Sequence, residues 1–276
     1  MNVLILGAQG MLGRALQRQF EADEVIAWDR KELDISNREQ VLEHLPICEP
    51  ELVINAAAYT DVEKAETEEE LATKINGHAV GYLAKACAKM NVPLVHISTD
   101  YVFSGDKEEG YVETDSVGMP LNAYGRSKLL GEQLLQKNTE KFWLIRTAWL
   151  FGPQGKNFVE TMINVGQQKK EINVVGDQHG SPTFTRDLAQ GIFKLTQEQA
   201  PYGVYHLTNS GATTWADFAK EIFRQMQMPV NVVPVTTAEY PTKAQRPHWS
   251  ILKNTKCSLL RNWQEALKDY INIRNK

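Results

Sequence analysis

A hydroxyl, a phenol and an ammonium are spaced in this chain as proton transfer to a carbonyl oxygen requires. Thr99 follows the apolar run Pro93-Leu94-Val95-His96-Ile97 in the stretch Ser98-Thr99-Asp100, and Tyr124-Gly125-Arg126-Ser127-Lys128 comes 25 residues later. On a helix Tyr124 and Lys128, at i and i+4, share a face. A phenol with its ordinary pKa near ~10 is a poor proton shuttle at neutral pH. A neighbouring ammonium stabilises the phenolate and is expected to lower that pKa. Thr99 can hold a substrate oxygen by hydrogen bonding. Beside a nicotinamide the trio fits carbonyl reduction, with hydride going to carbon and the Tyr124 proton to oxygen. The same Tyr-x-x-x-Lys spacing also occurs as a plain helix surface pair, so its weight depends on the elements around it.

Those elements begin at the first residue. Val3-Leu4-Ile5-Leu6 is a short apolar run that suits a strand buried on both faces of a parallel sheet. Gly7, Gly10 and Gly13 follow, and Leu12, Leu16 and Phe20 then share a helical face. Strand, glycine turn and helix together make a phosphate site: the first helical turn has free N–H groups and the positive end of the dipole, and glycine lets a pyrophosphate approach. A plain strand–helix corner is the bland alternative for a glycine turn alone. The spacing is Gly-x-x-Gly-x-x-Gly rather than the Gly-x-Gly-x-x-Gly of many dehydrogenases.

A second strand, Glu24 to Trp28, ends at Asp29, where a carboxylate can accept bonds from ribose hydroxyls and repel a 2′-phosphate. Asp29 therefore favours NADH, whereas Arg30 and Lys31 could neutralise a 2′-phosphate and leave NADPH open. Ser36 or Asn37 should cap the next helix. The strand Leu52-Val53-Ile54-Asn55 runs into Ala56-Ala57-Ala58, small residues that leave room for a ligand at the carboxyl end of a sheet. Residues 61–74 read as a solvated helical face and 76–90 as a further helix. The expected fold is α/β, a doubly wound parallel sheet (a Rossmann domain, residues 1–150) with a smaller α/β lobe at 151–276.

The chain has 276 residues and a formal charge of -4, with no Lys/Arg block, which argues against nucleic acid or an anionic membrane as partner. No apolar run approaches the ~20 residues that span a bilayer, and residues 1–6 lack the charged start of a signal peptide, so a cytoplasmic location is expected. Cys48, Cys87 and Cys257 have neither disulfide nor zinc spacing and read as reduced thiols. In the second half, Trp149 and Phe158 offer apolar surface for a base or sugar, with core packing as the alternative for both. Asn157 offers a specific hydrogen bond, and Arg246, in the loop from Pro241 to Pro247, a charge for pyrophosphate. Trp215 to Phe223 reads as an amphipathic helix capped by Thr213 or Thr214, and Trp263, Leu267 and Tyr270 mark a closing helix.

With these residues in hand, the chain resembles the extended short-chain dehydrogenase/reductases, and within them the subgroup that reduces dTDP-4-dehydro-L-rhamnose. The resemblance rests on Gly7 to Gly13, Asn55 to Thr60, Ser98 to Phe103, Pro120 to Lys128, Arg146 to Trp149, Gly155 to Phe158, Asp177 to Thr183 and Arg246-Pro247. It implies that Thr99, Tyr124 and Lys128 are catalytic and that Lys128 also bonds the nicotinamide ribose. Cofactor residues would be Gly7, Gln9, Gly10, Met11, Leu12, Gly13, Asp29, Arg30, Asp34, Ile35, Ala56, Ala57, Ala58 and Tyr59. The substrate would meet Thr99, Asp100, Trp149, Asn157, Phe158 and Arg246. The implied reaction reduces the sugar's C4 keto group with NADPH or NADH. Relatives that form a magnesium-linked dimer carry a glutamate just after the third glycine; here the residues are Gly13-Arg14-Ala15, so a monomer or weak homodimer without bound metal is expected.

Competing readings remain. A dehydratase of this superfamily would want an acid after Thr99-Asp100, where Tyr101 stands. An epimerase of another nucleotide sugar shares the trio, and a catalytically silent regulatory subunit shares the fold.

Overall fold

Six parallel strands form the central layer: β1 (Asn2–Leu6), β2 (Glu24–Trp28), β3 (Leu52–Asn55), β4 (Leu94–Thr99), β5 (Phe142–Thr147) and β6 (Gly203–His206). Their order across the sheet is β6-β5-β4-β3-β1-β2, so the direction of winding reverses between β1 and β3. In such a sheet the crevice outside the carboxyl ends at the reversal is where ligands bind. The computed structural model describes residues 1–275. Among them no helix is long and apolar enough to cross a membrane.

Helices cover both faces, as continuous apolar strands demand. Val3, Ile5, Ile54, Val95 and Ile145 pack on one side with Leu12 and Leu16 of α1 (Met11–Gln19), and Leu4, Leu6, Val53, Leu94 and Leu144 pack on the other. That other side is covered by α2 (Arg38–His44), α3 (Ala79–Met90) and α4 (Ala123–Asn138). Each fully buried Leu or Ile contributes about 1.5–3 kcal/mol, so this layer is a rigid platform. Asn37 caps α2 by accepting from Glu39 and Gln40 N–H, as its sequence context indicates.

The helical face expected over 61–74 is broken in two, and the helix expected from 76 begins in a π turn. Val62–Ala65 and Glu69–Thr73 are two short helices, and Lys74–His78 is a π-helical turn that leads into α3. The turn delivers the buried Asn76 side chain to Tyr59, whose N–H it accepts at 2.8 Å, and to Ser127, whose Oγ it meets at 3.0 Å. A π turn of this kind is a recurrent way to aim one side chain without breaking a helix.

Beyond residue 150, α5 (Phe158–Gly166), α7 (Trp215–Gln225) and α8 (Trp263–Arg274) enclose Phe151, Phe184 and Phe218 in a second core. Thr214 caps α7, accepting from Asp217 N–H. The chain returns to the first layer in between: α6 (Thr185–Gln197) packs Leu188 and Ile192 into the core of α1, and β6 pairs with β5. α6 and β6, both beyond residue 150, thus complete the first layer.

Candidate active site

Gly7 has φ +74, and a Cβ there would lie 2.6 Å from Ala57 N. A Cβ on Gly13 would lie 2.2 Å from Gly7 O, so glycine alone lets α1 close onto the turn. Gly10 caps α1 with no side-chain bond, and its first turn holds no acid. Free N–H groups, the positive dipole end and a backbone cradle fit a dinucleotide pyrophosphate. The turn is held to the neighbouring strand because Gln9 N donates to Asp29 Oδ2 at 2.8 Å.

A cleft of about 700 Å³ opens above this turn. It is bordered by Gly7, Gly10 to Gly13, Asp29, Arg30, Asp34, Ile35, Ala56 to Tyr59, Thr99, Asp100, Tyr124, Lys128 and Trp149. Arg30 is 80% exposed and reaches back to Asp34 at 3.5 Å, so its guanidinium stands at the rim. Asp34 accepts from Ser36 N and Oγ at 3.0 and 2.7 Å. Lys156 and Thr147 also border the cleft. Neither follows from the trio's spacing, although both fall within stretches that carry the resemblance. Thr147 lies opposite Thr99 in the β4–β5 register, and its buried Oγ1 has no hydrogen-bond partner.

The trio converges, with one departure from expectation. Thr99 ends β4, and Asn122 caps α4 by accepting from Gly125 N at 2.8 Å, which fixes the entry to the helix carrying Tyr124 and Lys128. Lys128, buried, donates to Ile97 O at 2.6 Å. Burial lowers its pKa to about 8, against the opposing charge of Glu132. The Tyr124 phenol is pushed up from its ordinary range, by burial first and by the charge of Asp100 second, with the nearby Thr99 hydroxyl acting the other way. The lysine therefore does not acidify the phenol in this state, because its ammonium is directed to the β4 backbone. A phenol kept protonated is nonetheless the form that can give a proton.

Asp100 lies beneath them with one oxygen unpartnered and the other accepting from Thr99 Oγ1 at 2.9 Å. Burial raises its pKa to about 6. Thr99 thus donates its only proton to Asp100 while accepting from Tyr101 N at 3.2 Å.

Three of the expected substrate residues lie outside this cleft. Asn157 caps α5, accepting from Glu160 N at 3.1 Å, and its amide donates to Gly152 O and Gly155 O at 2.9 and 3.2 Å. Its polar atoms are committed to its own loop. Phe158, half-buried, packs on Trp215 and Phe218 at the edge of the second core, with ring centroids 4.6 and 5.5 Å away. Arg246 pairs with Glu63 at 2.7 Å, and Lys243 N donates to the same carboxylate at 2.9 Å. With Asn122 donating to Gln245 O at 2.8 Å, the loop 241–247 is latched onto the first layer. Trp149 alone of the second-half aromatics borders the cleft, stacked on Trp215 at 3.4 Å and 7°.

A parallel sheet with a glycine turn at its crevice and a Thr–Tyr–Lys set beside it defines a nucleotide-cofactor reductase of the short-chain dehydrogenase/reductase class. Residues 1–275 match the family model described as RmlD substrate binding domain. The chain is 41% identical to the dTDP-4-dehydrorhamnose reductase of Aggregatibacter actinomycetemcomitans, over 97% of each chain. The dTDP-4-dehydrorhamnose reductase of Clostridium acetobutylicum is 43% identical, with a TM-score of 0.97 covering 100% of both chains. The Bacillus anthracis reductase, solved in complex with NADP, is 41% identical, with a TM-score of 0.95 over 99% of both. The chain belongs to the dTDP-4-dehydrorhamnose reductase family.

Proposed function

We propose that this protein reduces the C4 keto group of dTDP-4-dehydro-L-rhamnose, using NADPH or NADH, to give dTDP-L-rhamnose. The observation that carries this reading is the convergence of Thr99, Tyr124 and Lys128 on the cleft that begins at the glycine turn. A bound nicotinamide supplies the hydride. Tyr124, held protonated, gives its proton to the C4 oxygen as charge develops there. Thr99 turns its hydroxyl from Asp100 to the same oxygen, and the Lys128 ammonium offsets the phenolate left behind. Met11, Leu12, Ile35 and the three alanines give the cofactor an apolar, close-fitting wall, while Asp29 and Arg30 decide between ribose hydroxyl and 2′-phosphate. Trp149 offers its ring to the nucleotide sugar.

In this reading the protein acts in the cytoplasm, as a monomer or weak homodimer, since Gly13-Arg14-Ala15 supplies no carboxylate for a bridging magnesium ion. The test is oxidation of NADPH and of NADH by the purified protein, with dTDP-4-dehydro-6-deoxyglucose and its 3,5-epimerase supplied together. Formation of dTDP-L-rhamnose, identified by mass and sugar analysis, is the expected result. Cofactor binding without consumption would favour a silent regulatory subunit instead.

A further inference from the structure

Behind the trio lies a charged pair that the reaction as described does not use. Glu132 and Arg146 are 1% and 5% exposed, with Arg146 Nη2 donating to Glu132 Oε2 at 2.7 Å. The other carboxylate oxygen, Oε1, accepts from Arg146 Nε at 3.0 Å and from Ser98 Oγ at 2.6 Å. Removing two charges from water is costly, and such a pair is often replaced by apolar residues without loss of stability. Its place in the fold is therefore informative.

Glu132 sits one turn after Lys128 on α4, on the same face. The two side chains grip consecutive residues of β4: Lys128 holds the Ile97 carbonyl, Glu132 holds the Ser98 hydroxyl, and Thr99 comes next. Arg146 closes the set from the third side, directly opposite Ser98 in the β4–β5 register. The helix that carries the phenol and ammonium is thus clamped to the strand that carries the hydroxyl.

We propose that Glu132 is a positioning residue for the reduction: fixed by Ser98 and Arg146, its buried carboxylate holds the Lys128 ammonium charged and in register with Thr99. This rests on the reading that Lys128 serves the reduction. The electrostatics run the same way. Burial pulls the Lys128 pKa down and Glu132 opposes it, so the lysine stays mostly charged at neutral pH. The other groups around the site are few. His96 of β4 is held neutral by burial and by Lys128 itself, Asp100 and Tyr124 stand at the cleft end, and Arg146 on β5 faces His206 of β6, kept neutral by burial and by that guanidinium. On the outward side of α4, the helices before the π turn bring Glu66, bonded to Ala123 N, and Glu69, paired with Arg126. Asn76 and Ser127 are neutral. Glu132 is thus the one carboxylate among them buried in the same row as Lys128.

The experiment measures the pH dependence of kcat and, without turnover, of NADPH affinity by fluorescence titration, in the whole protein. Glu132→Gln removes the carboxylate and leaves Arg146 unopposed, so the alkaline limb of both profiles should move down by about one pH unit or more. Turnover at pH 8.5 then falls about tenfold relative to pH 6.5, while KM for the nucleotide sugar stays near the wild-type value. Arg146→Met leaves Glu132 unopposed and should move the limb upward. The double variant loses both charges, should fold at least as well as either single variant, and should return the limb toward wild type. Limbs that stay fixed in every variant while only melting temperatures fall would overturn the proposal and leave the pair purely structural. A wild type that binds NADPH but reduces no nucleotide sugar would instead fault the reductase reading, since the binding titration still reports the charge on Lys128.

Discussion

Around β1 to β3 the cleft is walled by backbone and small side chains, whereas around residues 149–158 and 241–250 polar side chains such as Asn157 and Arg246 are bonded within the protein. Gly7, Gly10, Gly13 and Ala56 to Ala58 leave space beside the first turn of α1. Asn157 is bonded to Gly152, Gly155 and Glu160, and Arg246 to Glu63. The first region can receive a ligand as it stands. In the second, Asn157 and Arg246 are already engaged by the protein, so they are structural as they stand. Affinity for the cofactor should therefore depend on shape, and affinity for the sugar nucleotide on how readily the latch at Glu63 opens.

Substitutions can break this contrast, and the largest effect belongs where the two regions meet. Tyr124→Phe should lower kcat at least ~100-fold, the scale of losing a general acid, with NADPH binding largely intact. Near-wild-type turnover would remove Tyr124 from that role. Gly13→Ala comes next: a methyl 2.2 Å from Gly7 O forces the turn apart, and NADPH affinity should drop by about tenfold or more in a binding titration, from strain of about 1–3 kcal/mol. Unchanged affinity would mean that the cradle does not hold the cofactor. Asn157→Ala should cost about 1 kcal/mol of stability in denaturant unfolding, as a lost helix cap does, with sugar-nucleotide KM nearly unaltered. A large KM change at unchanged stability would return Asn157 to the substrate site. Smaller still, Glu63→Gln at the half-exposed latch should change stability by less than about 1 kcal/mol. It should also lower KM for the nucleotide sugar, because the loop is freed and Arg246 is released; a raised KM would argue that the latch helps to build the site.

Much of the first region can be read from residue order alone. An apolar run followed by Gly7, Gly10 and Gly13 has few other solutions, and Asn37 and Thr214 act as helix caps where their neighbours indicate. Tyr124 and Lys128 share a helical face because the i, i+4 relation is local. The direction of the Tyr124 pKa was not legible, since it is set by burial and by the charge of Asp100, while the Lys128 ammonium is bonded to Ile97 O. The raised pKa of Asp100 depends on burial, which spacing does not encode. Ser98, Glu132 and Arg146 meet across 34 and 14 residues of chain, a tertiary contact with no local signature. In the second half, strands of two residues such as Leu150–Phe151 and Thr183–Phe184 are too short to show alternation. An Asn before a helix looks the same whether it caps that helix or reaches for a ligand, so Asn157 reads either way until its bonds are seen.

The most direct test of the account is to follow the hydride itself, by incubating the protein with NADPH deuterated at the transferable C4 position and the 4-keto nucleotide sugar. Transfer of one deuterium to C4 of the sugar, seen by mass and NMR in wild type and suppressed in Tyr124→Phe, is the predicted result. Product without deuterium at C4, or full transfer in Tyr124→Phe, would contradict the reaction assigned to this site.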